Sequence, residues 1–270
     1  MPAARVPLPV VGGPNVVVER TGDDVCIWMN RPERRNALSL EHLEDLTAAF
    51  VEAGATDALG IVLAGKGPVF SAGHDFADMA GADLAQMRAL LWQCTQLMET
   101  MQSVPQPVVA RVHGLATAAG CQLVAAADLA VASEEAAFAA PGGKGGWFCT
   151  TPMVAIGRTT SRKHALELAL TGDTIDARTA AEWGLVNRVV APEQLDEATR
   201  ELLRRATRGS ASSKALGKRA FYTQIEMGQH DAYAYAVEVM AAASQTPDAR
   251  EGVAAFLEKR APKFLPPERS

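Results

Sequence analysis

The sequence predicts an α/β fold that ends in a region made only of helices. Short β-branched runs, such as residues 108–112, alternate with segments in which apolar residues recur every three or four positions. Beyond about residue 205 the pattern is helical throughout, over 214–227, 231–244 and 248–259. Because 270 residues can bury a sizeable core, we predict a disordered lead-in at 1–14, an α/β domain at 15–205 and a helical region at 206–270.

The composition excludes several classes of protein. Hydrophobic residues make up 48% of the chain and charged residues 21%, which is ordinary for a soluble globular protein, and the N-terminus lacks the apolar run of a secretory signal. The formal net charge of −5 argues against a general nucleic-acid binder. Four cysteines without C-x-x-C spacing are typical of reduced thiols inside a cell. The longest apolar run, 115–132, is interrupted by Gln122 and Asp128 and favours a buried helix and strand over a membrane span. We therefore predict a soluble cytoplasmic protein with no nucleic-acid partner and no membrane insertion.

Turn and capping residues mark the first elements. The apolar runs 16–20 and 25–29 flank Thr21-Gly22-Asp23-Asp24, which predicts a hairpin. Ser39 can cap a helix over 40–54, in which Leu43, Leu46 and Phe50 share one face. A short apolar strand at 60–64 precedes a second amphipathic helix at 84–104.

The middle of the chain combines a strand with a helix of small residues. Pro107 can open the strand at 108–112, and small residues after Gly114 predict a helix over 118–127. The first turn of that helix carries little side-chain bulk, so its free N–H groups can meet a ligand closely. Tight packing in a buried core is the alternative explanation. The pattern then predicts strands at 129–132 and 185–190 and helices at 162–171 and 177–183.

Two motifs in this order carry a resemblance to a known family. The turn Val69-Phe70-Ser71-Ala72-Gly73-His74-Asp75-Phe76 follows the strand at 60–64, and Gly114-Leu115-Ala116-Thr117-Ala118-Ala119-Gly120-Cys121-Gln122-Leu123 follows the strand at 108–112. Together they resemble the crotonase superfamily, also called the enoyl-CoA hydratase/isomerase family, with Ala118-Ala119-Gly120 in place of its three glycines. The run Gly146-Trp147-Phe148-Cys149-Thr150-Thr151-Pro152 is similar to the "enoyl-CoA hydratase domain-containing" subgroup. The resemblance implies a spiral of β-β-α units, a C-terminal trimerisation region, and a homotrimer or hexamer.

The resemblance also implies a site for an acyl-CoA or enoyl-CoA thioester. The family places the thioester carbonyl oxygen between two backbone N–H groups, an oxyanion hole, and these map to His74 and Ala119. Losing one such donor typically costs about 10²–10³ in rate. No metal and no cofactor beyond the substrate's own coenzyme A are implied. The mapped coenzyme A contacts are Arg34, Ala37, Ala72, Asp75, Phe76, Phe256 and Lys259.

The departures from the family pattern concern the catalytic carboxylates. Gln122 and Gly142 stand where hydratases of the family carry two glutamates, and Thr150 stands where other members carry an aspartate. A glutamine can hold a water but cannot exchange its proton at neutral pH. A positioned acid–base group contributes typically about 10²–10⁴-fold, so losing both should severely weaken hydration. His74, Asp75 and Cys149 are weak ionisable alternatives, because a structural role is favoured for Asp75, packing is favoured for Cys149, and the mapped role of His74 is that of a backbone donor.

Two classes of function follow from the resemblance. The first is an enzyme that acts on an acyl-CoA, nominally an enoyl-CoA hydratase (a lyase) of fatty-acid metabolism, or a non-hydratase crotonase such as a thioesterase or decarboxylase. The second is a CoA-thioester binding protein without significant turnover. The retained binding motifs support both classes, and the missing glutamates count against ordinary hydration.

Overall fold

The computed structural model describes residues 13–266, so most of the predicted lead-in lies outside the described residues. The strands are β1 (Val16–Thr21), β2 (Asp24–Met29), β3 (Gly60–Gly65), β4 (Val108–Val112), β5 (Ala116–Thr117), β6 (Leu129–Ser133), β7 (Ala137–Ala139), β8 (Ile175–Asp176) and β9 (Arg188–Val190). The helices are α1 (Leu40–Gly54), α2 (Phe76–Met79), α3 (Leu84–Ser103), α4 (Ala119–Ala126), α5 (Pro152–Thr159), α6 (Arg162–Thr171), α7 (Ala177–Glu182), α8 (Leu195–Thr207), α9 (Ala211–Gln224), α10 (Gln229–Ala243) and α11 (Pro247–Leu257).

The strands form two sheets that the chain visits in turn. The larger sheet has the order β1-β2-β3-β4-β6-β9, antiparallel between β1 and β2 and parallel elsewhere. The smaller sheet has the order β5-β7-β8. The stretches from β4 to α4 and from β6 to α5 each supply a strand to the larger sheet, a strand to the smaller one and then a helix. This repetition confirms the predicted α/β spiral.

Alternate residues of the larger sheet face two separate apolar layers. Ile61 and Leu63 of β3 point into the main core beneath α1, α3 and α4, while Val62 and Ala64 point to the opposite face. That second face is covered by α8, whose Leu203 belongs to the same cluster. The sequence analysis did not predict α8, and the predicted domain boundary near residue 205 falls inside it. Because α8 covers the sheet, it packs with the α/β domain.

The predicted elements agree with the structure where their sequence pattern is long. The hairpin, the helix at 40–54 and its Ser39 cap are confirmed, with Ser39 accepting a hydrogen bond from the His42 N–H. The strand predicted at 185–190 is shorter, because only Arg188–Val190 pairs with β6. Among the described residues, no helix has the length and apolar character that crossing a bilayer requires.

One buried ion pair fastens the C-terminal helices to the spiral. Lys218 of α9 lies with its Nζ 2.7 Å from Oδ2 of Asp128, which follows α4, and it also donates to the carbonyls of Met101 and Gln106. The Tyr222 hydroxyl donates to the other oxygen of Asp128 at 2.7 Å. Because every donor and acceptor in this group is partnered, the pair holds α9 in one orientation.

Most large apolar side chains on α9, α10 and α11 remain exposed in the single chain. Phe256 is 83% exposed and Met240 78% exposed, and no residue of α9 or α10 is fully buried. The exposed members are Phe221, Ile225, Tyr233, Val237, Met240, Val253, Phe256 and Leu257. An apolar surface of this kind is typical of a site that a partner covers.

Candidate active site

The two small-residue turns of the sequence lie side by side. Ser71 N–H donates to the Leu115 carbonyl at 3.1 Å, and Thr117 N–H donates to the Ser71 carbonyl at 3.0 Å. Gly73 has a φ of +83°, and a Cβ on it would lie 2.9 Å from the Thr117 carbonyl and 3.3 Å from Ala119 N. Only a glycine allows the first turn to approach the start of α4 this closely.

The N–H groups of His74 and Ala119 are both free donors. Within residues 13–266, neither N–H has a protein acceptor. Ala119 is the first residue of α4, so its N–H has no acceptor in the helix and lies at the positive end of the helix dipole. Both residues line the same cavity. Two free N–H donors on the wall of one cavity are the groups that an oxyanion hole requires.

Backbone strain lies next to this pair, at Ala118. Ala118 has φ +50° and ψ −117°, a conformation that favours glycine. Ala119 itself begins the helix with no positive φ. The alanine that departs from the family's glycine pattern at a conformational cost is therefore Ala118 and not Ala119.

A cavity of about 1020 Å³ opens beside the two N–H groups. Its walls are mostly apolar, and within the described range 13–266 no aspartate or glutamate lines it. The lining residues are Ala72, His74, Phe76, Met79, Leu91, Thr117, Ala118, Ala119, Pro141, Gly142, Lys144, Gly145, Trp147, Phe148, Cys149, Thr150, Thr151 and Pro152. A concave apolar site with few polar groups is typical of small-molecule binding.

The loop around Gly142 has no room for a side chain. The Gly142 carbonyl accepts from the N–H groups of Gly145 and Trp147, at 3.0 and 2.9 Å, and its own N–H donates to Cys149 Sγ at 3.3 Å. A Cβ on Gly142 would overlap the Trp147 carbonyl and lie 2.8 Å from Cys149 Sγ. The position mapped to the second glutamate is therefore filled by the loop itself.

Gln122 is directed away from the cavity. Its side chain is buried, and its Oε1 accepts the Cys94 thiol of α3 at a distance of 3.9 Å. Gln122 is not among the cavity's lining residues. That this amide can hold a water for the substrate stays a prediction, and the contact with Cys94 uses one of the two acceptor sites of its oxygen.

Asp75 is held as a fixed anion outside the cavity. Its carboxylate lies 2.9 Å from the Arg34 guanidinium and 3.3 Å from that of Arg31, and it caps α2 by accepting from the Ala77 N–H. Burial raises the pKa of Asp75, but the Ala77 N–H and the two guanidiniums outweigh it, so the pKa lies below its ordinary value. A carboxylate in this state is a structural group and a poor proton donor.

Most of the mapped coenzyme A contacts come together. The Leu38 N–H donates to the Gly73 carbonyl at 2.8 Å, which joins the loop carrying Arg34 and Ala37 to the His74 turn. Ala72 and the exposed Phe76 line the cavity. The half-exposed Arg34 is held near them by its ion pair with Asp75, the residue directly before Phe76.

Phe256 and Lys259 are not brought to the cavity of their own chain. Neither lines it, because α11 packs on α9 and leaves Phe256 facing outward. Their assignment to the site stays a prediction, and it requires that a neighbouring subunit bring them to the cavity.

Burial keeps two further ionisable groups of the cavity, His74 and Cys149, in their neutral forms near neutral pH. Burial lowers the pKa of His74 and outweighs the Leu38 backbone carbonyl, which acts in the opposite direction. Burial likewise raises the pKa of the Cys149 thiol, which opposes its use as a nucleophile. Thr117 also lines the cavity and was not predicted from the sequence, because a strand of two residues shows no pattern that marks its faces.

Comparison with known proteins places this site in a family. A family model described as "Enoyl-CoA hydratase/isomerase" matches residues 22–266. The chain is 42% identical over 248 residues to "Enoyl-CoA hydratase domain-containing protein 3, mitochondrial" of Danio rerio, covering 91% of this chain and 86% of the relative. The Homo sapiens protein of the same name is 40% identical, over 87% of this chain and 78% of the relative.

The cytoplasmic location predicted from composition is contradicted by these relatives, whose names place them in mitochondria. All four cysteines are free thiols, but reduced thiols do not distinguish one reducing compartment from another. Composition was therefore too coarse a basis for that prediction.

Solved structures agree with the sequence match. An enoyl-CoA hydratase from Mycobacterium smegmatis is 43% identical with a TM-score of 0.90, covering 93% of this chain and 99% of that chain. The human enoyl-CoA hydratase domain-containing protein 3 is 36% identical with a TM-score of 0.88, covering 92% of this chain and 99% of that chain. The resemblance read from the two turns is thus confirmed, and the chain belongs to the enoyl-CoA hydratase/isomerase family, the crotonase superfamily.

Proposed function

We propose that this protein binds an acyl-CoA thioester in the 1020 Å³ cavity and hydrates enoyl-CoA only slowly. The thioester carbonyl oxygen accepts from the N–H groups of His74 and Ala119, which polarise it toward an enolate. The observation that carries the proposal is this free pair of donors on the wall of an apolar cavity whose described lining has no carboxylate. The names of the relatives, which refer to enoyl-CoA, support the same substrate class.

Slow hydration follows from the two positions mapped to glutamates. Adding water to an enoyl thioester needs a group that takes a proton from the water and one that delivers a proton to carbon. Gln122 is turned toward α3, and the loop at Gly142 excludes a side chain. A thioester-binding protein without significant turnover is the second candidate, and the same lining without carboxylates favours it.

Calorimetry with matched ligands tests the proposal. Butyryl-CoA carries the carbonyl oxygen, and the thioether S-butyl-CoA has the same length without it. If the two N–H groups bind that oxygen, the thioester should bind about tenfold tighter than the thioether, because two hydrogen bonds are lost. Equal affinities would remove the oxyanion hole from the proposal, and no binding of either ligand would overturn the proposal as a whole.

We also propose that the chain assembles as a homotrimer or a hexamer through its C-terminal helices. The exposed apolar side chains on α9, α10 and α11 support this assembly, because a soluble chain rarely leaves such a surface uncovered. Sedimentation velocity at micromolar concentration should show three or six chains. A monomer that stays folded would contradict the assembly and would also exclude Lys259 as a contact from a neighbouring subunit.

A further inference from the structure

The direction of the His74 N–H is set by the carbonyl of Gly73. The two groups belong to one trans peptide unit, in which they point in opposite directions. The Gly73 carbonyl accepts from the Leu38 N–H at 2.8 Å. Because this bond turns the carbonyl toward Leu38, the His74 N–H points away from Leu38, and His74 lines the cavity.

This peptide unit needs an anchor because a glycine precedes it. Gly73 has a φ of +83°, and a residue without Cβ lets the adjoining peptide plane rotate at little cost. The second N–H donor of the cavity is held differently, since the Ala118 carbonyl in its peptide unit accepts from the Gln122 N–H at 3.0 Å. The helix α4 therefore fixes the Ala119 N–H by itself, whereas the His74 N–H depends on the loop that carries Leu38.

Asn36 fastens that loop, residues 31–38, to the chain that leads into the turn. Its side chain is fully buried, and its backbone has a φ of +51°. Its Nδ2 donates to three carbonyls, those of Lys66, Val69 and Phe70, at 2.8, 3.0 and 3.1 Å. Its Oδ1 accepts from the Arg31 N–H at 3.0 Å. One buried amide thus joins the start of the loop to the residues directly before the turn.

Ser71 adds a second connection between the loop and the turn. Its hydroxyl donates to the Asn36 carbonyl at 2.9 Å and accepts from the Gly73 N–H at 3.3 Å. Both peptide units that flank Gly73 are therefore anchored to the loop, one through Leu38 and the other through Ser71. Asn36, Leu38 and Ser71 are not lining residues of the cavity, so they reach a ligand there only through the His74 N–H.

We propose that Asn36 and Ser71 are positioning residues for the thioester. They hold the loop 31–38 against the turn, so that the Leu38 N–H keeps the peptide unit of His74 in the orientation that receives the carbonyl oxygen. The inference rests on the proposed function, since it requires this oxygen to accept from the His74 N–H. Because the same loop carries Arg34, one loop serves both the coenzyme A end and the carbonyl end of the ligand.

The affinity of butyryl-CoA relative to its thioether analogue S-butyl-CoA tests this role, because only the thioester has the carbonyl oxygen. In the wild type the ratio of the two affinities should be about ten. Asn36→Gly tolerates the positive φ and removes four side-chain hydrogen bonds, so the ratio should fall to about three, as expected when one donor of two is lost. Isotope-edited infrared spectroscopy should show the bound thioester carbonyl band shifted back toward its frequency in water.

Gln106→Ala is the matched control. Gln106 is likewise buried, and its Nε2 donates to the carbonyls of Ala53, Gly54 and Thr56, each at 3.4 Å. It precedes β4, whereas the turn that leads to Ala119 follows the end of that strand. This variant should lose stability, while the affinity ratio and the carbonyl band should stay as in the wild type.

The outcomes separate this inference from the proposed function. A wild-type ratio in Asn36→Gly, or equal falls in Asn36→Gly and Gln106→Ala, would overturn the positioning role while leaving the thioester site intact. If Asn36→Gly does not fold, Ser71→Ala decides: a lowered ratio supports the role, and an unchanged ratio overturns it. If the wild type binds both ligands equally or binds neither, the oxyanion hole of the proposed function fails, and the inference fails with it.

Discussion

Ala118 bears the clearest conformational cost of any single residue in the site. Its φ of +50° and ψ of −117° are forced by the turn that leads into α4, where the Ala118 N–H donates to the Ala139 carbonyl at 2.9 Å. An alanine in such a region costs about 1–3 kcal/mol. The strain thus lies directly before the N–H of Ala119, where it helps to define the direction of that donor.

Ala118→Gly should therefore raise the free energy of unfolding by about 1 kcal/mol, because the relief of strain exceeds the entropy that glycine adds to the unfolded chain. Urea unfolding measures the change. Ala119→Gly is the matched control: its methyl group is fully buried and has no positive φ to relieve, so this variant should be destabilised. If the two variants lose stability equally, Ala118 is not strained.

The titration of His42 should make the free energy of unfolding depend on pH. His42 is buried, its Nδ1 lies 3.0 Å from the Ala37 carbonyl, and burial lowers its pKa from 6.5 to about 4. Between these two values the unfolded chain binds a proton that the folded chain does not. Its stabilising contribution is thus complete above pH 6.5 and is lost as the pH falls toward 4.

Relative to His42→Gln, the wild type should lose about 1.4 kcal/mol of unfolding free energy for each pH unit between 6.5 and 4. The comparison between the two proteins is needed because Asp24, whose pKa is raised by burial to about 6, acts in the opposite sense. Urea titrations at several pH values give both slopes. Parallel slopes for wild type and variant would show that His42 titrates normally in the folded protein.

At the scale of elements, the proposed function depends on two turns held together by backbone hydrogen bonds. Gly73 and Gly81 provide a matched pair for testing this contact. Both have positive φ, +83° and +79°, but a Cβ on Gly73 would meet the Thr117 carbonyl at 2.9 Å, while a Cβ on Gly81 would meet nothing within 4 Å.

Gly73→Ala and Gly81→Ala should each lose about 1 kcal/mol of stability, since an alanine must adopt a positive φ in both. Only Gly73→Ala should also weaken butyryl-CoA binding, by about tenfold or more, because the added methyl group separates the two N–H donors. Calorimetry on both variants measures this difference. Equal losses of affinity would mean that backbone strain, and not the fit of the turns, controls binding.

Long helices could be predicted from the sequence alone, whereas very short strands could not. Helices as long as α1 and α3 were predicted within one residue of their observed ends, because many periodic positions agree there. The smaller sheet was missed, since β5 and β8 have two residues each and cannot display an alternating pattern. The meeting of the two turns was predictable through the family resemblance. The clash at Gly142 was not, because it depends on how the loop folds back on itself.

That clash limits any attempt to place carboxylates at the two mapped positions. Gln122→Glu together with Gly142→Glu would bring the family's residue types back to both positions. The loop leaves no space for the second side chain, and the first position faces Cys94 of α3. The chemistry of this protein is therefore set by the shape of the loop as much as by the identity of two residues.

At the scale of the whole molecule, the elements that would bind a thioester are present, while the carboxylates that would move a proton are absent from the described lining of the cavity. The spiral, the paired turns and the cavity are all present, and the buried Asp128–Lys218 pair holds the C-terminal helices onto them. The described lining of the cavity offers hydrogen-bond donors to a thioester but no carboxylate to move a proton. A molecule of this kind should bind well and hydrate poorly.

The steady-state rate of crotonyl-CoA hydration by the wild-type protein tests this claim most directly. The same sample is first shown by calorimetry to bind butyryl-CoA, so that a low rate cannot come from inactive protein. A typical enzyme has a kcat on the order of 10 s⁻¹, and losing the acid–base groups should reduce it by about 10²-fold or more. We expect binding together with a kcat below about 0.1 s⁻¹. A kcat on the order of 10 s⁻¹ would show that this cavity supplies proton transfer without the two glutamates, and would contradict the account.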